Sequence, residues 1–580
     1  MKEAWTRSVR PMKKELSMEA RLLIAFVLMG LVLFLTPYIY KPATAPAPGA
    51  NQPATSKTTD VKEAATAPPV AEVPAAPPPV AAAEMPGQIH ADKEEPVVVD
   101  TDLYHIVFSN KGAVVRSWIL KDFKDHEGKS LDLVNTPALA KVPAPFAIEF
   151  RSQKPTTDPN NALYKVDRNG DNLTFEFSDG RIDIKKTFEF AKNSYLSRFT
   201  SQVAQNGVVL PHSLVWRGGF GDETINNPAA AQHALLYDPN APRSYGVFSN
   251  ELQKKDASSA KSGPVTSSGQ YTFVGIEDSY FAGLFLPSGP SSVELTTFSD
   301  AVPKDGKDVP QVGAAMGGEG FNAFELYMGP KDLEILKRVN PKLELVVDWG
   351  KFAIIAKPLF EALKWTAAKV GGNYGWAIIL VTIAINTVLF PLKITSMKSS
   401  KKMQSIQPQI AAINAKYKGL SLNDPKKADQ NAEIMALYKD NGVNPAGGCL
   451  PMLLQLPFFF AFYAVLGVAI QLRGAHWLWV TDLSQQETLA IHILPVILIA
   501  TQFLTQRMTP SPGMDPSQQK MMMVMPLVLG YMFYFAMSGL VIYWLTGNVV
   551  GIAQQWFLNR GTPKPTPKVV DVKPVAKKKK

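Results

Sequence analysis

The stretch MMMVMPLVLGYMFYFAMSGLVIYWLTGNVVGIAQQWFLN, residues 521–559, has no acidic or basic side chain over 39 positions. As one helix, at 1.5 Å per residue, it would run roughly 58 Å, about twice the ~30 Å hydrocarbon thickness of a bilayer. It must turn, and Ser538-Gly539 is the best break, which predicts two spans at 521–537 and 540–559. Three more runs pass the same test: 375–392 and 450–472 are free of charge, and 489–506 has only His492 as an ionisable group of the usual kind. A further run, LLIAFVLMGLVLFLTPYIY (22–40), follows six basic residues and ends on Tyr38, Tyr40 and Lys41 like an interfacial belt. It reads as an uncleaved anchor. The rival reading is a cleaved signal peptide, with ATA at 43–45 as the small-residue site.

Lysine placement then sets the topology of these six spans. Segment 395–445 carries eight lysines and reads as cytoplasmic. Loop 473–488 has only Arg473 as a strong base and reads as outside; loop 507–520, with Arg507 and Lys520, reads as inside. Both termini come out cytoplasmic. The net charge of +10 resides entirely in the ends, +3 in residues 1–21 and +7 in 560–580, so the pI near 9.2 reports two basic tails and no nucleic-acid-binding surface. The single Cys449 excludes an internal disulfide or a cysteine-based zinc cluster.

Between anchor and spans lie two regions of different character. Residues 41–96 hold 12 prolines and 15 alanines in 56 positions, which predicts a disordered tether. Residues 97–345 show short alternating runs at 103–108, 113–120, 173–177, 181–190, 271–276, 293–298 and 321–327. That patterning predicts an exported antiparallel β-sandwich. Lys185-Lys186 reads as an interruption that turns one face to water, and 301–320, rich in Gly and Lys, reads as loop. Residues 351–370 space Phe352, Ile355, Leu359, Leu363 and Trp365 as an amphipathic helix, lying on a membrane surface or packed under the β-domain. In 395–445, Met397, Met403, Ile406, Ile410, Ile413 and Tyr417, then a turn, then 432–438 predict a helical hairpin.

No catalytic signature stands out. GKS at 128–130 lacks the upstream glycine of a phosphate-binding loop, GGEG at 317–320 lacks the strand–helix context of a dinucleotide site, and histidines 90, 105, 126, 212 and 233 are scattered. Cys449, beside Gly447 and Gly448, reads as a close-packing residue, against a nucleophile or lipidation site. No cofactor or metal is expected. The spans contain no Asp, Glu, Lys or Arg that would relay protons, yet they are not uniformly apolar. Thr382 and Asn386, four apart, share a helix face that Lys393 continues. Gln455, Thr501, Gln502, Thr546, Asn548, Gln554 and Gln555 dot the others. Singly, each is interhelical hydrogen-bonding glue, worth about 0.6 kcal/mol on average. Together they suggest one shared, wet cavity.

NPAGGCLPMLLQLP (444–457) resembles the N-P-x-G-G-C-x-P-x-x-x-Q-x-P signature of the YidC family of membrane protein insertases, within the YidC/Oxa/Alb superfamily. DPSQQKMMMVMP (515–526) and SGLVIYWLTGN (538–548) resemble its later segments, and the order of elements is that of Gram-negative-type members with a large periplasmic domain. The resemblance implies a polytopic helical module of six spans plus a periplasmic β-supersandwich similar to sugar-mutarotase folds, in the inner membrane. It implies an insertase and chaperone, not an enzyme, moving nascent hydrophobic segments from cytoplasm to bilayer, alone or with the Sec translocon. The hairpin and the basic tail are the candidate ribosome contacts. The implied substrate groove comprises Thr382, Asn386, Gln455, Gln502, Tyr543 and Trp544. One departure stands out: the family usually has arginine five residues before the proline matching Pro391, and this chain has Asn386, which predicts a neutral groove. The competing class is a small-solute transporter or channel, which would need intramembrane ionisable groups or an inverted repeat.

Overall fold

The computed structural model describes residues 88–560 except 152, 226–227, 242–251, 290, 305, 418–425, 443–449 and 509–515. The anchor 22–40, the tether up to 87, Cys449 and the tail beyond 560 lie outside the described residues. The described residues fall into two compact units, one within 88–351 with 467–471, the other within 352–466 and 472–560.

The first unit is built on three antiparallel sheets of four, ten and five strands. All seven alternating runs lie on or overlap strands. The clearest is Ile182–Phe190, IDIKKTFEF, paired with Leu196–Gln205 on one side and Asn172–Ser178 on the other. Its inward positions are Ile182, Ile184, Lys186, Phe188 and Phe190, every second residue, and all are buried. The inward residues build an aromatic core: Phe188 packs at a tilt against Phe199 at 4.7 Å and against Phe108 at 4.9 Å between centroids.

Three expectations need correction here. Lys185-Lys186 does not interrupt its strand. Lys185 faces outward and pairs with Glu176 at 2.6 Å, whereas the period of two turns Lys186 into the core. There its ammonium donates to the carbonyls of Gly112 (2.8 Å), Ala113 (3.1 Å) and Phe146 (2.8 Å). Second, 301–320 is no loop. Val293–Lys304 and Lys307–Gly317 form a long hairpin that turns at Gly306, φ +75°. The glycines there serve close approach: a Cβ on Gly313 would stand 2.5 Å from Asp300 Oδ2, the carboxylate that holds Arg217. Third, the ordered part of this unit starts before 97 and runs beyond 345: Ile89 bridges to Ser178, Ala91 N–H donates to Leu163 O, and Trp349 is buried.

The second unit is helical. Its helices are α1 (Ala353–Lys369), α2 (Tyr374–Val388), α3 (Phe390–Ser405), α4 (Gln407–Lys416), α5 (Lys426–Asp440), α6 (Leu450–Val468), α7 (Ile493–Met508), α8 (Pro516–Tyr534) and α9 (Ser538–Arg560). α9 packs against α2 and α7, α7 against α8, and α1 against α2. The uncharged 39-residue run does break before Ser538. Gly539 allows a close approach there: a Cβ would meet Leu466 Cδ2 at 2.6 Å and Leu483 O at 3.0 Å. In α1, Leu359 and Leu363 are buried as the spacing predicts, but Trp365 is exposed. The first arm of the hairpin is broken in two at Ile406, where Pro408 opens α4. Ile406 and Ile410 pack with Met403, Leu437 and Tyr438, and Lys416 pairs with Glu433 at 2.6 Å.

Among the described residues no single helix is long and apolar enough to cross a membrane. One pair bent by 54°, Tyr374–Val388 with Phe390–Ser396, passes that test together, and Gln455–Val468, Ile493–Met508 and Met523–Tyr534 are shorter apolar helices. The break falls at Leu389, two residues before Pro391, which has no N–H to offer Thr387 and clashes with the preceding turn.

Candidate functional site

α2 starts at Asn373, whose side chain accepts from Trp376 N–H at 3.1 Å. Two and a half turns on, Thr382 and Asn386 lie buried toward α9. Thr382 Oγ1 donates to Ile378 O at 2.6 Å, and Asn386 Nδ2 donates to Thr382 O at 2.8 Å, so both spend a donor on their own helix. That leaves Asn386 Oδ1 free to accept, and it accepts from Lys393 Nζ at 2.6 Å. Gln554 of α9 closes the cluster: its Oε1 is 3.5 Å from Lys393 Nζ, and its Nε2 donates to Asn386 O at 3.2 Å.

About two and three turns earlier on that face of α9 stand Gly547 and Tyr543. Gln455 Nε2 of α6 donates to Tyr543 OH at 2.6 Å, and the Tyr543 ring stacks on Phe462 at 4.1 Å. A Cβ on Gly547 would stand 3.8 Å from Gln455 Nε2 and 4.0 Å from Asn386 Nδ2, so the missing side chain leaves a gap between the two amides. Tyr543, Gly547 and Gln554 fall at i, i+4 and i+11, one stripe of a 3.6-residue helix.

The next stripe of α9 faces α7. Asn548 Nδ2 donates to Gln502 Oε1 at 2.9 Å and to Thr501 Oγ1 at 3.2 Å, and Gln555 Nε2 donates to Met508 O. Trp544 heads this second stripe by spacing but makes aromatic contacts, edge-on against Phe459 at 5.3 Å and tilted against Phe533 at 5.1 Å.

Of the six residues singled out from sequence, Asn386 and Gln455 flank Gly547, Tyr543 joins them through Gln455, and Thr382 through its bond to Asn386. Gln502 lies in a second cluster and Trp544 in an aromatic one. The polar groups therefore form two seams along one helix and not one shared cavity. An apolar pocket of about 570 Å³ lies elsewhere, between α1 and α2, lined by Trp365, Leu380, Val381, Ala384, Ile385 and Phe458 among others. Nor is the site neutral. Spacing already continues the Thr382–Asn386 face to Lys393, seven residues on; what it does not show, across Pro391, is the direct contact of the ammonium with the amide. Gln554 and Asn548 were visible as polar residues in an apolar run; the one-residue offset of their stripes was the unused signal.

In the β-unit, His212 shows why a buried Ser–His pair is no active site. Its Nδ1–H donates to Leu210 O at 3.0 Å, so Nε2 accepts from Ser201 Oγ at 2.8 Å. Burial pushes the imidazole down to about 4, and all three groups are shut from solvent.

Comparison with known proteins covers both units. Residues 365–565 match the family described as 60Kd inner membrane protein, and residues 96–362 match YidC periplasmic domain. A membrane protein insertase YidC of Geobacter sp. (strain M21) is 37% identical over 80% of this chain and 85% of that protein. Another, of Syntrophus aciditrophicus (strain SB), is 34% identical over 94% of this chain and 100% of its own. Among solved structures, an active YidC insertase with its first transmembrane domain resolved is 18% identical, covering 82% of this chain and 95% of that chain at a TM-score of 0.36.

Proposed function

The chain belongs to the YidC family of membrane protein insertases, and we propose that it works through the polar seam around Gly547, with Lys393 supplying the positive charge that the family usually carries as arginine at position 386. It is a membrane protein insertase and not an enzyme. It resides in the inner membrane with a periplasmic β-sandwich domain and a helical C-terminal module, and its clients are nascent membrane proteins.

The finer mechanism is our reading. Six spans with both ends in the cytoplasm follow from the lysine asymmetry. They place the α4–α5 hairpin where a client arrives, with the ribosome at hairpin and tail and the Sec translocon alongside. Drawing a polar flank into hydrocarbon costs several kcal/mol per unsatisfied backbone group. Thr382, Asn386, Lys393, Gln455, Tyr543 and Gln554 offset that cost by exchanging their present bonds for bonds to the client. Gln502 and its partner Asn548 extend the polar surface along α9, and Trp544 bounds it with an apolar wall. The client's apolar part then partitions into lipid by its own hydrophobicity, without ATP.

The observation that carries this reading is the 2.6 Å contact between Lys393 and Asn386 on a buried helix face. A photo-cross-linker at 386 is expected to capture a stalled nascent chain, and capture of lipid alone would sink the assignment. Reporters active only in the periplasm, fused at Gln485 and at Lys426, test the topology. Signal at 426, or none at 485, overturns it.

A further inference from the structure

Loop 473–488 joins α6 to α7, and the N-termini of three helices meet it. Gln485 O accepts from Ser538 N–H (2.7 Å) and Leu483 O from Gly539 N–H (2.9 Å), which caps α9. The Glu487 carboxylate accepts from Leu494 N–H at 3.0 Å in the first turn of α7, and from Trp479 Nε1 at 2.5 Å. Asn373, the cap of α2, donates to His476 O at 3.4 Å. The base of the loop is therefore fixed to the helical unit.

Its tip is apolar and exposed. Trp477 and Val480 exchange both backbone bonds, at 2.9 and 2.8 Å, and Leu478 turns the chain at φ +50°. A leucine in that left-handed conformation costs about 1–2 kcal/mol, which glycine would avoid, yet Leu478 is 63% exposed and relieves nothing by packing. Trp477 is anchored: a Cβ on Gly375 would stand 2.2 Å from its Cγ, and its ring meets Trp376 at 5.6 Å and Trp479 at 6.1 Å. Trp376 and Trp479 are both exposed, with Ile491 beside α7 at 67%. The patch continues down the exposed apolar sides of α2, through Leu380 and Ile383, and of α7, through Val496 and Ile497.

We propose that Leu478 and Trp479, seated on the buried Trp477, form with Trp376 a membrane anchor inserted at the phospholipid headgroup–acyl boundary of the periplasmic leaflet, and that it fixes the depth of the helical unit. Indole rings favour that boundary because one end is apolar and the other is polar; Trp479 gives its N–H to Glu487 and so presents its apolar edge. The occupant is lipid, because the patch is the upper rim of an apolar belt on helices of a membrane protein. Rigid attachment to three helix starts transmits the depth of the tip to the seam. Asn386 lies ten residues below Trp376 on α2, roughly 15 Å, half of a ~30 Å hydrocarbon layer, so the anchor holds the seam near the bilayer centre. The inference rests on the membrane reading of the family and not on the role of Lys393.

The test uses the full chain with Cys449→Ser, reconstituted in phosphatidylethanolamine–phosphatidylglycerol vesicles, with a nitroxide on a cysteine replacing Leu478, Thr488 or Ile383 in turn. Power saturation with oxygen and a water-soluble nickel chelate gives depth. At 478 the label is expected to be several-fold less accessible to nickel than at the exposed Thr488, and accessible to oxygen. Equal nickel access at 478 and 488, with 383 lipid-embedded, overturns the anchor alone. Water exposure at 383 as well overturns the membrane reading itself. Shielding at 478 from both reagents means protein packing, which also overturns the anchor. If Leu478→Cys fails to accumulate, Trp479→Cys carries the same measurement.

Discussion

In the β-sandwich, Lys186 sits at an inward strand position and gives its ammonium to three backbone carbonyls. In the helical unit, Lys393 gives its ammonium to the side chains of Asn386 and Gln554. Carbonyls held by a sheet cannot turn away, so Lys186 ties the 112–113 and 146 segments to the strand for as long as the domain is folded. Amides on helices can change partner at the cost of a rotamer, which is what the proposed release of Lys393 to an incoming chain requires. The same residue type is a fixed strut in one region and an exchangeable contact in the other, because of what accepts from it.

The largest effect expected from this contrast is a pH dependence confined to the β-unit. Burial lowers the Lys186 pKa from its ordinary 10.5 to about 7. Between those values the unfolded chain binds the proton that the folded one gives up, so this group makes stability rise with pH across that window. Residues 88–351, expressed alone, are expected to give a strand-dominated circular dichroism spectrum and a cooperative melt. The stability difference between that fragment and its Lys186→Met variant should move by up to about 4 kcal/mol between pH 7 and 10.5. A pH-independent difference would mean that the ammonium keeps its ordinary pKa in the core.

Next comes Gly313→Ala in the same fragment. The added Cβ would stand 2.5 Å from Asp300 Oδ2 and within 3.3 Å of Arg217, and a packed sheet gives little. A loss of about 1–3 kcal/mol in urea titration is expected. A loss near zero would show the hairpin to be as yielding as the helical seam.

In the helical unit, Lys393→Met should slow insertion of clients with polar translocated flanks about tenfold, the loss of one charged hydrogen bond. Wholly apolar clients should be less affected, and Lys393→Arg should retain activity. Unchanged insertion with Lys393→Met would make this lysine a strut like Lys186. The smallest effect is expected at Gly547→Ala. Its Cβ would make ordinary contacts at 3.8 and 4.0 Å, and alanine favours helix over glycine by up to ~1 kcal/mol. Thermal stability in detergent should hold or rise slightly. A clear drop would mean that the gap beside Asn386 is closed.

What the sequence determined by itself was whatever depends on local period and composition. Alternation placed the strands, and the uncharged run 521–559 announced its own break at Ser538. The four-residue spacing put Thr382 and Asn386 on one face, and three motifs named the family. Tertiary structure decided the fate of groups whose partners are distant in the chain. Lys186 looked like a solvent residue because charge is costly to bury, and only the carbonyls of Gly112, Ala113 and Phe146, 40 to 74 positions away, remove that objection. Glycines at 306 and 313 looked like loop because composition cannot distinguish a flexible position from a tight hairpin turn in the left-handed region, as at Gly306, or from a place where a neighbour comes too close for a Cβ, as at Gly313. Asn386 looked neutral because the proline bend that returns Lys393 to it is a three-dimensional event. Charge, in both units, was legible as a residue and became a function only through the atoms that folding set against it.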